Sequence, residues 1–356
     1  MNDLGSRALT GLRGMAALLV VLHHLYLREH LQIPLINTLA MRGYLAVDLF
    51  FVLSGFVMAL AYGSWFDGQW TVRAHALFMS RRVARLWPLH TAVVLAVVGI
   101  TTAAGQTGVF WPKMIVANLL MVQSWGWSQV IVSPSWSVST EMLAYVLFPV
   151  LAAVTLHGRR RVAWAAALLA VVVLVACMRL APATGAGRRG ALDIYYNWSV
   201  LPAARCLAGF SLGLLTWRAL RTQAVERWAV RSGTALVAAA VLILALASGV
   251  PDGAVYVALP VLIGSLYAGA GPLQRLLARR IPVILGTLSY AIYLVHVPVL
   301  EMTQRLVGTA PALLVPVFLV AVAGVAAAAH WAIEQPMQAV LRRALTRPWR
   351  RRLSVP

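Results

Sequence analysis

The chain has 356 residues, of which 61% are hydrophobic and 11% charged, and its mean hydropathy is +0.80. Soluble domains contain about 25% charged residues, so this composition excludes an ordinary soluble protein and predicts many membrane spans. The formal net charge of +20 comes mainly from 29 arginines, and such a basic balance also occurs in nucleic-acid-binding proteins. The distribution of these arginines argues for membrane topology instead, and no nucleic-acid partner is expected.

Ten segments have the roughly 20 mostly apolar residues that a membrane-spanning helix needs. In chain order they are 11–28, 44–62, 87–104, 138–157, 161–180, 198–218, 231–249, 254–270, 282–304 and 311–333. With a cytoplasmic N-terminus, 22 of the 30 basic residues fall in inner segments, as the positive-inside rule requires. The sequence therefore predicts an all-α polytopic protein of the inner (plasma) membrane, with about ten transmembrane helices and both termini cytoplasmic.

One apolar stretch does not fit this count. Residues 113–123, KMIVANLLMVQ, are too short to cross a membrane, and counting them would place the arginines at 159–161 outside. We interpret 112–137 as a re-entrant or interfacial segment, which at membrane depth must be covered by protein or line a cavity. The predicted domains are a membrane-embedded domain over 1–336 and a basic cytoplasmic tail over 337–356, lying on anionic lipid.

The first predicted span carries Arg13 and, eleven residues later, His24. Eleven residues make three helical turns plus roughly 20°, so the two side chains share a face about 16 Å apart. An imidazole takes up a proton near neutral pH, and a guanidinium binds phosphate or another anion. Alternatively, Arg13 extends to the inner interface and His24 only packs. His23 points about 100° away from this face.

The second span and the segment before the third add an acid and three arginines. Asp48 lies in a very apolar context, where it would pair with His24 or with a cation on another helix. Arg81, Arg82 and Arg85 share one helical side, which suits a phosphate clamp at the inner surface. The simpler alternative is that these arginines only set the topology.

Serines and an acid open the fourth span in SPSWSVSTEM. Trp136 and Ser137 precede Glu141, which enters an apolar helix next to the predicted re-entrant segment. Helix capping is the alternative interpretation, because a serine or threonine followed by an acid is common at a helix start. We favour a functional role for Glu141.

The last two spans carry further polar residues. The ninth holds Tyr290, Tyr293 and His296 within two turns. In the tenth, His330 and Glu334 share a face at i, i+4, and Glu334 beside an arginine would be an ordinary structural pair.

These residues fit either a transporter or an enzyme, since no zinc-type spacing, P-loop or nucleophile elbow occurs. Transporters often contain inverted repeats with broken helices in matching halves. The one unusual element, at 112–137, has no counterpart in the second half, which favours the enzyme. The cysteines, Cys177 and Cys206, are expected to be buried apolar residues rather than a disulfide.

Six stretches, taken together and in this order, resemble the acyltransferase-3 family, integral membrane acyltransferases that modify mainly surface carbohydrates. The matching pieces are LRGMAALLVVLHH, AVDLFFVLSGF, RRVARLWP, WSVSTE, LSYAIYLVHVPV and IEQP. The resemblance spans nearly the whole chain and implies the ten-span layout. It also implies an acyl donor, usually acetyl-CoA, reached from the cytoplasm, and an acceptor hydroxyl on the other side.

The family's arginine–histidine pair falls on Arg13 and His24, and its tryptophan–serine–glutamate motif on Trp136, Ser137 and Glu141. Three positions depart from the family: His23 doubles the histidine, Thr140 replaces an aliphatic residue, and Met142 replaces a second acid. Many relatives carry a C-terminal hydrolase-like domain that this sequence lacks, so transfer would finish in the membrane domain or on a separate protein.

The expected mechanism follows from this resemblance. Coenzyme A phosphates would dock on the basic set, which consists of Arg13, Arg81, Arg82 and Arg85. His24 would act as the general base, oriented or charged by Asp48 or Glu141, with Ser137 or backbone amides stabilising the oxyanion. The acceptor would meet Trp136, Ser137, Tyr290, Tyr293 and His296, and no metal is expected. The alternative function is a transporter or flippase of a sugar or lipid-linked glycan.

Overall fold

A computed structural model describes residues 3–29, 34–67, 70–184, 187, 189–195 and 198–351. Within these ranges the secondary structure is helical without strands, which confirms the all-α prediction. In chain order the α-helices are α1 (Asp3–Glu29), α2 (Pro34–Met41), α3 (Ala46–Tyr62), α4 (Val72–Ala103), α5 (Pro112–Leu119), α6 (Ser135–Val146), α7 (Phe148–Ala152), α8 (Arg160–Leu180), α9 (Leu201–Leu220), α10 (Gln223–Ala229), α11 (Thr234–Ala247), α12 (Val255–Ala268), α13 (Pro272–Leu277), α14 (Arg280–Val307), α15 (Pro311–Ala329) and α16 (Gln335–Arg351). Two π-helical turns, Ala153–His157 and His330–Glu334, follow α7 and α15.

Among the described residues, six helices are long and apolar enough to cross a membrane. They are Asp3–Arg28, Gly43–Phe66, Val72–Ala103, Arg160–Ala183, Arg280–Val307 and Pro311–Thr346. Two bent pairs raise the count to eight if each is one span: Ser135–Val146 with Phe148–His157, bent by 64°, and Gln223–Ala229 with Thr234–Ala247, bent by 74°. The ten-span count and the cytoplasmic termini remain predictions.

Helix α4 begins well before the predicted third span, which started at residue 87. Thr71 caps the helix, because its side-chain oxygen accepts a hydrogen bond from the Ala74 amide. The arginine-rich sequence is therefore part of one 32-residue helix. Hydropathy detects only the apolar half of such a helix, since arginines on a partly exposed face do not interrupt the backbone hydrogen bonds.

The chain divides into two compact units. The first comprises Met1–Gly63, Leu151–Tyr196 and Ala204–Tyr290, and in it α1 packs against α2, α3, α12 and α13. It contains both cysteines, which are buried as predicted and are not joined in a disulfide.

The second unit comprises Ser64–Val150, Asn197–Ala203 and Ala291–Pro356, and in it α4 packs against α5, α6 and α16. Helix α16 includes the predicted basic tail as far as Arg351, and residues 352–356 lie outside the described part of the chain. The tail's contact with lipid stays a prediction.

The segment predicted to be re-entrant consists of α5 followed by irregular chain over 120–134. Asn118 and Gln123 are fully buried there, and His90 of α4 donates from Nε2 to the Asn118 carbonyl at 2.7 Å. The Asn118 amide donates in turn to the carbonyls of Met114 and Gln129. Protein thus covers part of this segment, while its re-entrant path remains a prediction.

Candidate active site

Arg13 and His24 both lie on α1, an uninterrupted helix of 27 residues. The helix passes very close to α14 at Gly286. A Cβ atom at this position would lie 1.8 Å from the Thr10 carbonyl oxygen, so the approach requires a glycine. At this approach Arg13 donates from Nε and Nη2 to the Gly286 carbonyl oxygen, at 3.1 and 2.7 Å. The Arg13 guanidinium is therefore fixed to the backbone of a neighbouring helix.

His24 has a defined tautomer. Its Nδ1 lies 3.0 Å from the Val20 carbonyl oxygen, which can only accept a hydrogen bond. In the neutral imidazole Nδ1 therefore carries the hydrogen and Nε2 the lone pair. The ring is partly exposed, and in its neutral form the nitrogen that can take up a proton is Nε2.

His23 has a different environment although it is the adjacent residue. It is buried, and its Nδ1 donates to the Ala40 carbonyl oxygen at 2.7 Å. Its ring packs edge-on against Tyr44, with ring centroids 5.8 Å apart, and against His24 at 5.3 Å. His23 is thus a packed interior residue that ties α1 to the end of α2.

Asp48 of α3 pairs with a cation on another helix, one of the two pairings considered from sequence. Arg205 of α9 donates from Nε and Nη2 to the two carboxylate oxygens at 2.7 and 2.6 Å, and the Tyr256 hydroxyl donates at 2.5 Å. Both charged side chains are almost fully buried. This bidentate geometry occupies both carboxylate oxygens of Asp48.

Arg205 was not singled out from the sequence as a partner for Asp48. A signal existed: a lone arginine in LPAARCLAGF and a lone aspartate in AVDLFFVLSGF each interrupt an apolar helix. Charges buried in apolar surroundings are generally paired, so the two could have been matched.

A second buried ion pair lies in the same unit. Arg42 donates from Nη2 to Asp252 at 2.5 Å, and the Tyr44 hydroxyl donates to the same carboxylate at 2.9 Å. Burial by itself lowers the pKa of Arg42, but the hydrogen bonds and charges of Asp252 and Tyr44 outweigh it and raise that pKa. The backbone carbonyl of Tyr44 also accepts from Arg205 at 3.3 Å. Tyr44 therefore joins the two ion pairs into one network.

In the second unit, aromatic rings hold two of the predicted donor-binding arginines. The guanidinium carbon of Arg81 lies 4.7 Å from the centroid of the Trp65 ring. That of Arg82 lies 6.0 Å from the ring centroids of both Phe78 and Tyr145. A guanidinium over a ring face is attracted by the ring's negative quadrupole.

The third arginine of this set is in an ion pair. Arg85 Nη1 lies 3.3 Å from Glu334 Oε1, which confirms the structural pair expected for Glu334. His330 Nδ1 lies 2.7 Å from the other carboxylate oxygen, and Gln335 donates to His330 Nε2 at 2.9 Å. The His330 ring thus bridges Gln335 and Glu334, with Nδ1–H donating to the carboxylate.

The serine-rich start of α6 does not cap that helix, contrary to the alternative interpretation. Ser139 instead accepts from the Ser124 amide at 3.1 Å, which ties α6 to the irregular segment. The Ser137 hydroxyl lies 2.7 Å from that of Tyr293, and Tyr145 donates a hydrogen bond to Glu141.

The other predicted acceptor-binding residues divide between the units. Trp136 and His296 are buried in the second unit, where His296 Nδ1 donates to the Tyr293 carbonyl at 2.7 Å. Tyr290 ends the last segment of the first unit and is partly exposed.

These side chains provide a base, anion-binding guanidinium groups and hydroxyls, all of which acyl transfer uses. A family profile described as an acyltransferase domain matches residues 6–331. The chain belongs to the acyltransferase-3 family. Acyltransferase MdmB of Streptomyces mycarofaciens is 32% identical over 332 residues, which cover 85% of this chain and 80% of that relative. Protein 2 in the picA locus of Rhizobium radiobacter is 42% identical over 83 residues, covering 23% and 38% respectively. No solved structure gives a significant match.

Family membership confirms that the chain is an acyltransferase and, together with its apolar helices, a multi-pass membrane protein. It also favours the enzyme over the transporter considered from sequence. This acyltransferase has, among its described residues, no group of three His, Cys, Asp or Glu side chains arranged to hold a metal ion.

Proposed function

We propose that this acyltransferase moves an acetyl group from acetyl-CoA, bound at the cytoplasmic side, to a hydroxyl of an extracytoplasmic or membrane-associated carbohydrate, such as a surface polysaccharide or lipopolysaccharide. We also retain the ten-span layout in the inner membrane, with 112–137 re-entrant and both termini cytoplasmic. The family supports the reaction class, and the arginine-rich half of α4 supports an anionic donor.

The observation that carries the proposal is the His24 tautomer. Because Nδ1–H donates to the Val20 carbonyl, Nε2 carries the lone pair of the neutral ring and is the atom that takes the acceptor's proton. The acceptor oxygen attacks the thioester carbonyl carbon, the C–S bond breaks, and the leaving thiolate takes the proton back from His24. His23 is not the base in this proposal, since it is buried against Ala40 and Tyr44.

The donor's phosphates bind to the basic set. Arg81 and Arg82 contribute most, since stacking on aromatic rings orients their N–H edges. Arg85 contributes less because Glu334 already offsets its charge. Arg13, fixed by the Gly286 carbonyl, supplies positive charge on the helix that carries the base.

The two predicted acids receive different roles. Asp48 is assigned to the structure, since Arg205 and Tyr256 occupy its carboxylate. Glu141 keeps its catalytic role, and its carboxylate is oriented by the hydrogen bond from Tyr145.

The acceptor is assigned to hydroxyl and aromatic groups. Ser137 and Tyr293, whose hydroxyls bond to each other, exchange hydrogen bonds readily with sugar hydroxyls. Trp136, Tyr290 and His296 complete the proposed acceptor set.

Membrane vesicles containing the full chain, acetyl-CoA and cell-surface glycan test this proposal. We expect release of coenzyme A thiol that requires the glycan, together with a glycan mass increase of one acetyl group. The His24→Ala variant, inserted at the wild-type level, is expected to release none. Wild-type failure with several glycans and acyl donors, or near-wild-type release by His24→Ala, would contradict the proposal.

A further inference from the structure

Tyr145 was not among the residues singled out from the sequence. It is buried on α6, one turn after Glu141, and its hydroxyl donates a hydrogen bond to a Glu141 carboxylate oxygen. Residues four apart on a helix share a face, so the contact is built into α6 itself. A phenol hydrogen bond to a carboxylate restricts the rotamers that the acid can adopt.

The ring of the same tyrosine faces a donor-binding residue. The guanidinium carbon of Arg82 lies 6.0 Å from the Tyr145 ring centroid and 6.0 Å from that of Phe78. A cation over an aromatic face is attracted by the ring's negative quadrupole. One side chain thus contacts an arginine of α4 through its ring and an acid of α6 through its hydroxyl.

Neighbouring rings hold Tyr145 in place. Phe78 packs edge-on against Tyr145, with centroids 5.9 Å apart, and stacks on Phe148 at 4.7 Å. Paired rings in a dry interior have few alternative rotamers. The position of Tyr145 is therefore set by packing rather than by the charged groups that it contacts.

We propose that Tyr145 is a positioning residue that holds Glu141 through its hydroxyl and Arg82 through its ring, and so fixes the catalytic acid relative to the donor-binding arginine. The inference rests on the proposed function, in which Arg82 binds donor phosphate and Glu141 takes part in catalysis. A catalytic group acts only when neighbouring residues hold it in a fixed geometry. Tyr145 provides such support through two chemically different contacts.

Kinetic constants of two Tyr145 variants distinguish the contact through the hydroxyl from the contact through the ring. Tyr145→Phe keeps the ring and removes the hydroxyl, so kcat is expected to fall about tenfold, with an unchanged KM for acetyl-CoA. Tyr145→Leu removes both contacts, so the donor KM is also expected to rise, by about threefold to tenfold. Tyr267→Phe, in the first unit, is the matched control and is expected to retain wild-type kinetics. Each variant is compared at equal amounts of folded protein in detergent.

A wild-type kcat in Tyr145→Phe would overturn the inference. An equal change of the KM for acetyl-CoA in Tyr145→Phe and Tyr145→Leu would also overturn it. Arg82→Ala separates the inference from its premise. If Arg82→Ala raises the donor KM while Tyr145→Phe has wild-type kinetics, only the positioning role fails. If Arg82→Ala leaves the donor KM unchanged, the donor site of the proposed function fails instead.

Discussion

Arg205 in the first unit and Arg82 in the second both lie in apolar helical sequence, yet their surroundings differ. Arg205 is almost fully buried, and both oxygens of Asp48 accept its hydrogen bonds. Arg82 is partly exposed and lies beside aromatic rings. Aromatic rings attract the Arg82 guanidinium over their faces, whereas the Asp48 carboxylate binds the N–H edge of Arg205. Hydropathy does not distinguish these two surroundings, on which the proposed roles of the two arginines depend.

The largest effect is expected from breaking the buried pair. Arg205→Met leaves the Asp48 carboxylate charged and uncompensated, which is expected to lower the free energy of unfolding by about 3–5 kcal/mol. Thermal unfolding of the purified protein in detergent measures this loss. The double variant Asp48→Leu with Arg205→Leu is the control and is expected to lose less than Arg205→Met, because no charge is left unpaired. A single variant as stable as wild type would end the contrast between the two arginines.

Glu334→Gln tests an arginine whose surroundings are intermediate between those of Arg205 and Arg82. Arg85 is partly exposed, and it forms an ion pair with the buried Glu334. The amide keeps a hydrogen-bond acceptor for His330 but removes the charge, so we expect a loss of about 2 kcal/mol in the free energy of unfolding. Unfolding in detergent and the donor KM are measured together. Unchanged stability with a lower donor KM would show that the pair belongs to the donor site rather than to the scaffold.

Arg82→Ala tests the partly exposed arginine, which is proposed to bind the donor's phosphate. Loss of a guanidinium–phosphate contact is expected to raise the KM for acetyl-CoA about tenfold, with little change in thermal stability. Initial rates at varied donor and fixed acceptor concentration measure this effect. Arg85→Ala is the matched variant and is expected to raise KM less. A rise in the acceptor KM alone would refute the phosphate clamp.

The smallest effect is expected from Tyr256→Phe, which removes one donor to Asp48 and keeps the bidentate arginine. We expect a loss of about 1 kcal/mol in the free energy of unfolding and unchanged kinetic constants. The same thermal and initial-rate measurements apply. A large fall in kcat with normal stability would return Asp48 to a catalytic role.

Periodicity and spacing predicted much of this molecule. The eleven-residue interval placed Arg13 and His24 on one helix, and the i, i+4 spacing paired His330 with Glu334. The Asp48–Arg205 pair was not predicted because Arg205 was not considered as the partner of Asp48, although each is a lone charge in an apolar helix. Tyr145 was missed although its i, i+4 spacing from Glu141 was a signal, because a tyrosine in an apolar helix commonly only packs.

Hydropathy also did not predict the boundaries of the helices. Helix α4 begins at the Thr71 cap rather than at its apolar half, and the predicted span over 138–157 is bent by 64° after Val146. Pro149 lies just after this break, and a proline in a helical sequence kinks or ends the helix, so the signal was in the sequence although hydropathy does not register it.

The central claim is that Nε2 of His24 is the base, and a matched pair of asparagine variants tests it most directly. An asparagine amide keeps a donor near the position of Nδ1, so both His24→Asn and His23→Asn retain a hydrogen bond to the backbone but lose the basic nitrogen. Thiol release from acetyl-CoA in vesicles with equal amounts of folded variant is the measurement. The account predicts no release from His24→Asn and substantial release from His23→Asn. Substantial release from His24→Asn with none from His23→Asn would contradict it.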